Sequence, residues 1–226
     1  WNVVYKVDLR GGQPKLVWKY DPESDPDIMG NPVTRGAALY DDAVIINTDD
    51  NRVVSIDDET GEMNWEVQVS SGQYDRLRAA PLVVDDVIMV INTSGDQGAR
   101  GWVAGFDPAD GSELWRFWTV PKPGEPGSET WTDPDQVAWR TGGAAPWVTG
   151  MYDPDTMTYL VGTGNPSPMF DPEYRPGDNL FSNALLAINS QTGNLDWYFQ
   201  YTPGDYLDYD EVGGHIVFDE MYEGEM

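Results

Sequence analysis

A short pattern recurs along this chain, and it restricts the available folds more than any other feature of the sequence. The clearest copy runs from Ser55 to Trp65 and reads Ser-Ile-Asp-Asp-Glu-Thr-Gly-Glu-Met-Asn-Trp. Two further copies end at Trp115 and Trp197, and a degenerate copy ends at Trp18. Each full copy has an apolar residue, an Asp or Asn, a turn that ends in Gly, and then the Trp.

This pattern has the chemistry of a β-hairpin. The Asp or Asn side chain accepts hydrogen bonds from the turn backbone, and Gly adopts the positive φ that the turn needs. A large ring at the same place in every unit predicts a wedge between neighbouring sheets, as in the blades of a β-propeller. The sequence therefore predicts an all-β propeller with about four blades.

Short apolar runs between the copies predict strands, and no long segment has helical periodicity. The runs are residues 43–48, 53–56, 87–92, 102–106, 159–162, 185–188 and 197–201. The repeat tryptophans are 47, 50 and 82 positions apart, so the last repeat carries extra residues. Extra residues of this kind are often loops on a binding face.

Four repeats do not close a wide ring. We therefore expect residues 1–226 to form one partial propeller domain. Either the sequence is incomplete, or its blades associate with those of a second copy in a homodimer.

Composition excludes several classes of function. The chain has no Cys and a single His, His215, which excludes thiol catalysis, disulfides and Cys/His zinc sites. The net charge of −26 argues against nucleic acid and anionic membranes, which both attract basic surfaces. No apolar run is long enough to span a membrane. The acidic balance predicts adaptation to a salty medium, where ions screen the repulsion; a basic partner is the alternative.

Loop segments between the repeats carry a resemblance to a known family. They are residues 31–36 (Asn-Pro-Val-Thr-Arg-Gly), 95–101 (Gly-Asp-Gln-Gly-Ala-Arg-Gly), 142–147 with 162–166, and 202–210 (Thr-Pro-Gly-Asp-Tyr-Leu-Asp-Tyr-Asp). In this order, and with the repeats, they resemble about half of a quinoprotein alcohol dehydrogenase. That family is an eight-bladed propeller that carries pyrroloquinoline quinone (PQQ) and a metal ion. The resemblance implies a periplasmic or otherwise extracytoplasmic enzyme that oxidises a primary alcohol to an aldehyde.

The resemblance also implies a metal site. Asp96 and Asn165 fall on the acidic and amide ligands of the family, and Asp208 falls on the catalytic carboxylate that takes the alcohol proton. Asp210 matches the additional carboxylate of members that use a lanthanide instead of Ca²⁺. Oxygen ligands suit either hard cation. Carboxylates at i and i+2 of an extended segment would point the same way.

On the cofactor side, the resemblance implies a PQQ site that contains Arg35, Arg78, Thr93, Gly95 and Trp147. Trp147 matches the ring under the planar quinone, Arg35 an arginine near its oxygens, and Thr93 a hydroxyl that bonds a cofactor carboxylate.

The chain also departs from the family. Met29-Gly30 stand where many members have adjacent cysteines. Arg78 and Ala145 stand where threonines that touch the quinone are common. These departures bear on the affinity for PQQ more than on metal ligation.

Three functions are weighed. In the enzyme, the ion polarises the quinone, Asp208 acts as general base, hydride passes to PQQ, and electrons leave to cytochrome c or another acceptor. The rival is a non-catalytic propeller that serves as a scaffold or binding protein, because a fold does not fix a function. A propeller glycosidase or lyase would need a different geometry of paired carboxylates.

Overall fold

The computed structural model describes residues 2–25, 27 and 33–220. Fourteen strands form four antiparallel sheets that follow one another along the described chain. The first sheet contains β1 (Val4–Asp8) and β2 (Lys15–Tyr20); the second contains β3 (Ala38–Tyr40), β4 (Ala43–Asn47), β5 (Arg52–Asp57) and β6 (Met63–Gln68); the third contains β7 (Leu82–Val84), β8 (Val87–Ile91), β9 (Trp102–Phe106) and β10 (Glu113–Trp118); the fourth contains β11 (Met151–Asp153), β12 (Thr158–Gly162), β13 (Ala184–Asn189) and β14 (Leu195–Gln200).

Each four-stranded sheet is an up-and-down meander in which consecutive strands pair, which is the architecture of a propeller blade. The predicted propeller fold is confirmed, with three four-stranded sheets and one two-stranded sheet where about four blades were expected. Each of the seven predicted runs coincides with a strand, and three of them extend one residue beyond its end, to Thr48, Asn92 and Tyr201. The first strands of the blades, β3, β7 and β11, have three residues each and are too short to show an alternating pattern.

The repeat tryptophans join each sheet to the next, as the hairpin pattern predicts. The indole N–H groups of Trp18, Trp65 and Trp115 donate to the carbonyl oxygens of Asp58 (2.8 Å), Pro108 (3.0 Å) and Ser190 (3.0 Å) in the following repeat. The glycine of that following repeat lies under the ring. A Cβ at Gly193, where φ is 71°, would come within 2.5 Å of the Trp115 ring. This glycine therefore serves both the turn and the docking of the ring.

The core lies between neighbouring sheets. Strands β8, β9, β12 and β13 are buried along almost their whole length because each of their sheets packs against a neighbour. The described chain has no sheet beyond the fourth, and Trp197 is 49% exposed there.

The extra residues before Trp197 form loops. Two short 3-10 turns, Ser128–Thr130 and Ala138–Thr141, lie between β10 and β11. Val120, Trp131, Ala138 and Ala144 make a small buried cluster under them. Single bridges from Gly143 to Arg100 and to Pro166 fix this loop against the loops of two blades. No helix among the described residues has the length and apolar character needed to cross a bilayer.

Candidate cofactor and metal site

One pocket of about 280 Å³ gathers loops from three of the sheets. Its lining consists of Val33, Arg35, Arg78, Thr93, Gly95, Asp96, Gln97, Ala145, Trp147, Gly164, Asn165, Asp208 and Asp210. All nine residues assigned to PQQ or metal by the resemblance are in this set. Two loops of the long last repeat contribute to it: the loop between β10 and β11 supplies Ala145 and Trp147, and the loop between β12 and β13 supplies Gly164 and Asn165.

The acidic end of the pocket joins two loops. The loop after β12 carries Asn165, whose backbone N–H donates to Asp210 Oδ1 at 2.8 Å. The loop after β14 carries Asp208 and Asp210, and its Glu211 N–H donates to the carbonyl of Thr163 at 3.1 Å. The two segments are thereby held side by side with Asn165 almost fully buried.

Gly164 permits this close approach and was not predicted. A Cβ at Gly164 would lie 2.7 Å from Asp210 Oδ1 and 3.0 Å from the carbonyl oxygen of Ala145. Only a residue without a side chain fits between the two loops. The Gly-Thr-Gly-Asn run contains the signal, but the run alone does not say what approaches it.

The carboxylates of this end repel one another. Desolvation raises the pKa of Asp96, and the charge of Asp208 raises it further. Desolvation also raises the pKa of Asp210, the N–H of Asn165 opposes this, and the charges of Asp208 and Asp96 add to the increase. A cation placed here would relieve this excess of negative charge.

The predicted metal ligands share the pocket but do not form a preassembled metal site. Within the described ranges, no three His, Cys, Asp or Glu side chains are close enough together to hold an ion as they stand. The donor set nevertheless fits a hard cation, because it contains only carboxylate and amide oxygens. Binding of an ion would therefore require these side chains to close on it.

One expectation about this segment is wrong. Asp208 and Asp210 do not lie on an extended strand, because their φ values of 63° and 53° are left-handed. Both side chains still line the pocket. The backbone brings them there by a strained path rather than by the alternation of a strand.

The same pocket also contains two cationic side chains, Arg35 and Arg78. The Arg35 guanidinium lies over the Trp147 ring, with its carbon 5.3 Å from the ring centroid. Burial lowers the pKa of Arg35, and the charge of Arg78 lowers it further. Arg78 Nε donates to Asp49 Oδ1 at 3.1 Å, and the Asp49 side chain is only 2% exposed. Asp49 was missed because 29 positions separate it from Arg78 and no local pattern links them.

Thr93 and Gly95 line the same pocket. The Thr93 hydroxyl donates to the carbonyl of Arg76 at 3.0 Å, so it must change partner to donate to a cofactor carboxylate. A Cβ at Gly95 would lie 3.2 Å from the Cβ of Ala145, so this glycine allows the two loops to approach each other closely. The Met29-Gly30 departure lies outside the described residues.

The fold and the pocket together define a partial β-propeller with a mixed-charge site beside a tryptophan ring. The chain belongs to the family of PQQ-dependent alcohol dehydrogenases: residues 3–225 match the family described as "Glucose/ethanol/alcohol dehydrogenase, beta-propeller domain".

Individual relatives agree with this assignment. The chain is 35% identical to the quinohemoprotein alcohol dehydrogenase ADH-IIG of Pseudomonas putida, over 98% of this chain and 33% of that protein. It is 32% identical to the lanthanide-dependent methanol dehydrogenase of Methylorubrum extorquens, over 99% of this chain and 40% of that protein. A solved structure of a europium-containing methanol dehydrogenase matches with a TM-score of 0.89 and 28% identity, over 98% of this chain and 42% of that chain.

These shares are smaller than the half of a family member that the sequence led us to expect. The chain spans 32% to 42% of the length of the curated relatives and solved structures that it matches.

Proposed function

We propose that the protein carrying this chain oxidises a primary alcohol to an aldehyde with PQQ and a metal ion. The observation that supports this most is that one pocket is lined by two arginines, a tryptophan ring and a set of carboxylate and amide oxygens. PQQ is a planar molecule with several carboxylates, and a ligand of that kind matches Trp147, Arg35 and Arg78. A metal cation matches Asp96, Asn165, Asp208 and Asp210.

The residues of this chain would divide the work. When bound, PQQ supplies the hydride acceptor and the ion supplies Lewis acidity. Asp208 is exposed to the pocket and accepts the alcohol O–H proton on its carboxylate as general base. Trp147 covers one face of a planar ligand and keeps water from it. Arg35 and Arg78 hold the anionic edge of that ligand.

Asp210 favours a lanthanide over Ca²⁺ in this proposal. It adds a third carboxylate to an end of the pocket where desolvation and like charges already raise the pKa of Asp96 and of Asp210 itself. A trivalent ion offsets that charge better than a divalent one. Two of the relatives described above are named for a lanthanide or for europium.

The electron acceptor and the location are proposals of the same kind. Cytochrome c or another carrier would receive the electrons, in line with the quinohemoprotein named among the relatives. A periplasmic or extracytoplasmic location follows from the same resemblance. The net charge of −26 suits a salty medium, and raising the salt concentration should increase the free energy of unfolding because ions screen the repulsion.

A non-catalytic scaffold is the second candidate, and one observation favours it. Arg78 and Ala145 replace threonines common in the family, and the Nε of Arg78 already donates a hydrogen bond to the buried Asp49. A propeller that has lost its cofactor would tolerate such changes.

Turnover decides between the two candidates. The complete protein is assayed in high salt for dye-linked alcohol oxidation with PQQ, with La³⁺, with Ca²⁺ or without metal. We expect activity that needs both PQQ and an ion, is highest with La³⁺, and falls roughly 10²- to 10⁴-fold or more in Asp208→Ala. The matched control is Asp155→Ala, in the exposed turn between β11 and β12, which should keep full activity. A well-folded protein that neither turns over nor binds the quinone with any ion contradicts the proposal and favours the scaffold.

A further inference from the structure

A fully buried arginine, Arg175, lies behind the acidic wall of the pocket and is 1% exposed. Its guanidinium donates four hydrogen bonds: Nε to the carbonyl of Pro168 (2.8 Å), Nη1 to Asn179 Oδ1 (2.8 Å), and Nη2 to the carbonyls of Met169 (2.7 Å) and Asp205 (2.6 Å). Pro168 and Met169 follow Asn165 in the chain, and Asp205 precedes Asp208. One side chain therefore joins the two loops that carry Asn165, Asp208 and Asp210, three of the four predicted metal ligands.

Asp205 shapes the second of these loops. Its carboxylate is 3% exposed. Oδ1 accepts the backbone N–H of Leu207 at 2.8 Å, and Oδ2 accepts the N–H of Tyr209 at 2.9 Å and the Nδ2 of Asn183 at 2.8 Å. Leu207 and Tyr209 flank Asp208, so the contacts fix the backbone on both sides of the predicted general base.

These contacts hold a strained backbone in place. Asp208 and Asp210 both have left-handed φ values, a conformation that costs a non-glycine residue energy and persists only where neighbouring contacts enforce it. The carboxylate of Asp205 enforces it from behind, and the Asn165 N–H to Asp210 Oδ1 bond of 2.8 Å closes the arrangement at the front. The two loops and the two buried side chains thus form a closed ring of contacts around the acidic end.

Burial of the charged Arg175 guanidinium is energetically unfavourable. The Arg175 guanidinium donates to three backbone carbonyls and one amide, and none of its hydrogen-bond partners among the described residues is a carboxylate oxygen. Burial lowers the pKa of Arg175, against the charges of Asp205 and Asp171. Removing charges from water in this way is seldom the most stable solution. What the buried guanidinium provides is the placement of the two loops that it joins.

We infer that Asp205 and Arg175 are positioning residues, which hold Asn165, Asp208 and Asp210 at the separation from which they close on one ion. This inference rests on the metal site of the proposed function. Neither side chain lines the pocket, so neither touches the ion or the substrate. Groups that orient metal ligands in this way commonly change metal affinity ~10- to 100-fold when they are replaced.

Luminescence of Eu³⁺ bound to the complete protein without PQQ tests this inference independently of turnover. The affinity comes from titration, and the lifetimes in H₂O and D₂O give the number of water molecules on the ion. We expect Asp205→Asn to weaken Eu³⁺ binding about 10- to 100-fold and to leave more water on the ion, because one amide cannot accept all three donors.

The matched control is Asp133→Asn. Asp133 is also buried, and its Oδ2 caps the backbone N–H groups of Val137 (2.6 Å) and Ala138 (3.1 Å) in a loop that carries none of the predicted ligands. The Asp133→Asn variant should lose about as much stability as Asp205→Asn. It should keep the wild-type affinity for Eu³⁺ and the wild-type number of water molecules on the ion.

A second variant covers the case in which Asp205→Asn does not fold. Asn183→Gly removes a single hydrogen bond to Asp205 and suits the φ of 45° at that position, so we expect a smaller loss of affinity in the same direction. Unchanged affinity and hydration in the folded variants, or an equal loss in Asp133→Asn, would overturn the positioning role and leave the proposed function standing. A wild-type protein that binds no Eu³⁺ would overturn the metal site, and the positioning role with it.

Discussion

The turn that opens at Asp57 and the loop that opens at Asp205 both begin with a carboxylate that accepts backbone N–H groups. In the repeat turn, Asp57 Oδ1 accepts the N–H and the hydroxyl of Thr60 at 2.7 and 2.8 Å. The positive φ of that turn, 77°, falls on Gly61. In the site loop, the positive φ values fall on Asp208 and Asp210. The repeat turn thus gives its left-handed position to a glycine. The site loop gives two such positions to aspartates, as the strand turns at Asp41, Asp85 and Asp86 also do.

The two regions also differ in their electrostatics. Hydrogen bonds from Thr60 lower the pKa of Asp57, whereas desolvation and neighbouring carboxylates raise the pKa of Asp210. The charged form therefore stabilises the turn and destabilises the site.

The largest effect is expected at the repeat. Trp115→Ala should lower the free energy of unfolding by ~3–5 kcal/mol, because a large ring leaves a cavity between two sheets. Chemical denaturation of the complete protein measures this. Trp115→Phe keeps most of the ring and loses the bond to the Ser190 carbonyl, so it should cost clearly less. Equal losses in the two variants would mean that the packing of the ring is not what joins the blades.

The opposite sign is expected at the site. Asp210→Asn should leave the metal-free protein as stable as the wild type or more stable by up to ~1 kcal/mol, since it removes one of several like charges. The same variant should bind Eu³⁺ more weakly. Thermal denaturation with a chelator and Eu³⁺ titration are the two measurements. A large loss of stability in the metal-free variant would show that the charge of Asp210 supports the fold, as Asp57 does in the repeat.

The smallest effect is the dependence of stability on pH. Because folding raises the pKa values of Asp96 and Asp210, their ionised carboxylates lower the free energy of unfolding by the full amount at any pH above those raised values. This destabilisation is relieved as the pH falls from the raised values toward the ordinary Asp value of 3.8. The pKa of Asp57 is lowered, so its contribution is present above 3.8 and is lost as the pH falls through its folded value. In Asp210→Asn, unfolding of the metal-free protein across this pH range should show a smaller destabilisation by the carboxylates of the site. An unchanged profile in that variant would contradict the assignment.

The fold could be read from the sequence because its signals are local. Asp57, Gly61 and Trp65 lie within one hairpin, and the same spacing recurs at Trp115 and Trp197. The three-residue first strands of the blades carry no such pattern and were missed.

The site could be predicted only through the resemblance, and its supporting contacts could not be predicted at all. Arg175 reaches Asp205 across 30 positions, and Asp49 reaches Arg78 across 29. The chain has 39 acidic residues, and nothing in the local sequence distinguishes Asp205 and Asp49 from the others. The left-handed φ values of Asp208 and Asp210 were also missed, because they depend on the buried Asp205 carboxylate and on the Asn165 N–H of another loop.

Binding of PQQ with and without La³⁺ tests the central claim most directly, which is that one pocket binds both a planar anion and a metal ion. Equilibrium dialysis of the complete protein against PQQ, read by quinone absorbance, gives the affinity for PQQ with and without the ion. Two ligands of opposite charge would share this pocket under the proposal, so each should tighten the binding of the other, and we expect La³⁺ to strengthen PQQ binding at least about 10-fold, a typical coupling. Asp210→Asn should reduce that factor. The same affinity for PQQ with and without the ion, or no binding of PQQ at all, would contradict the account.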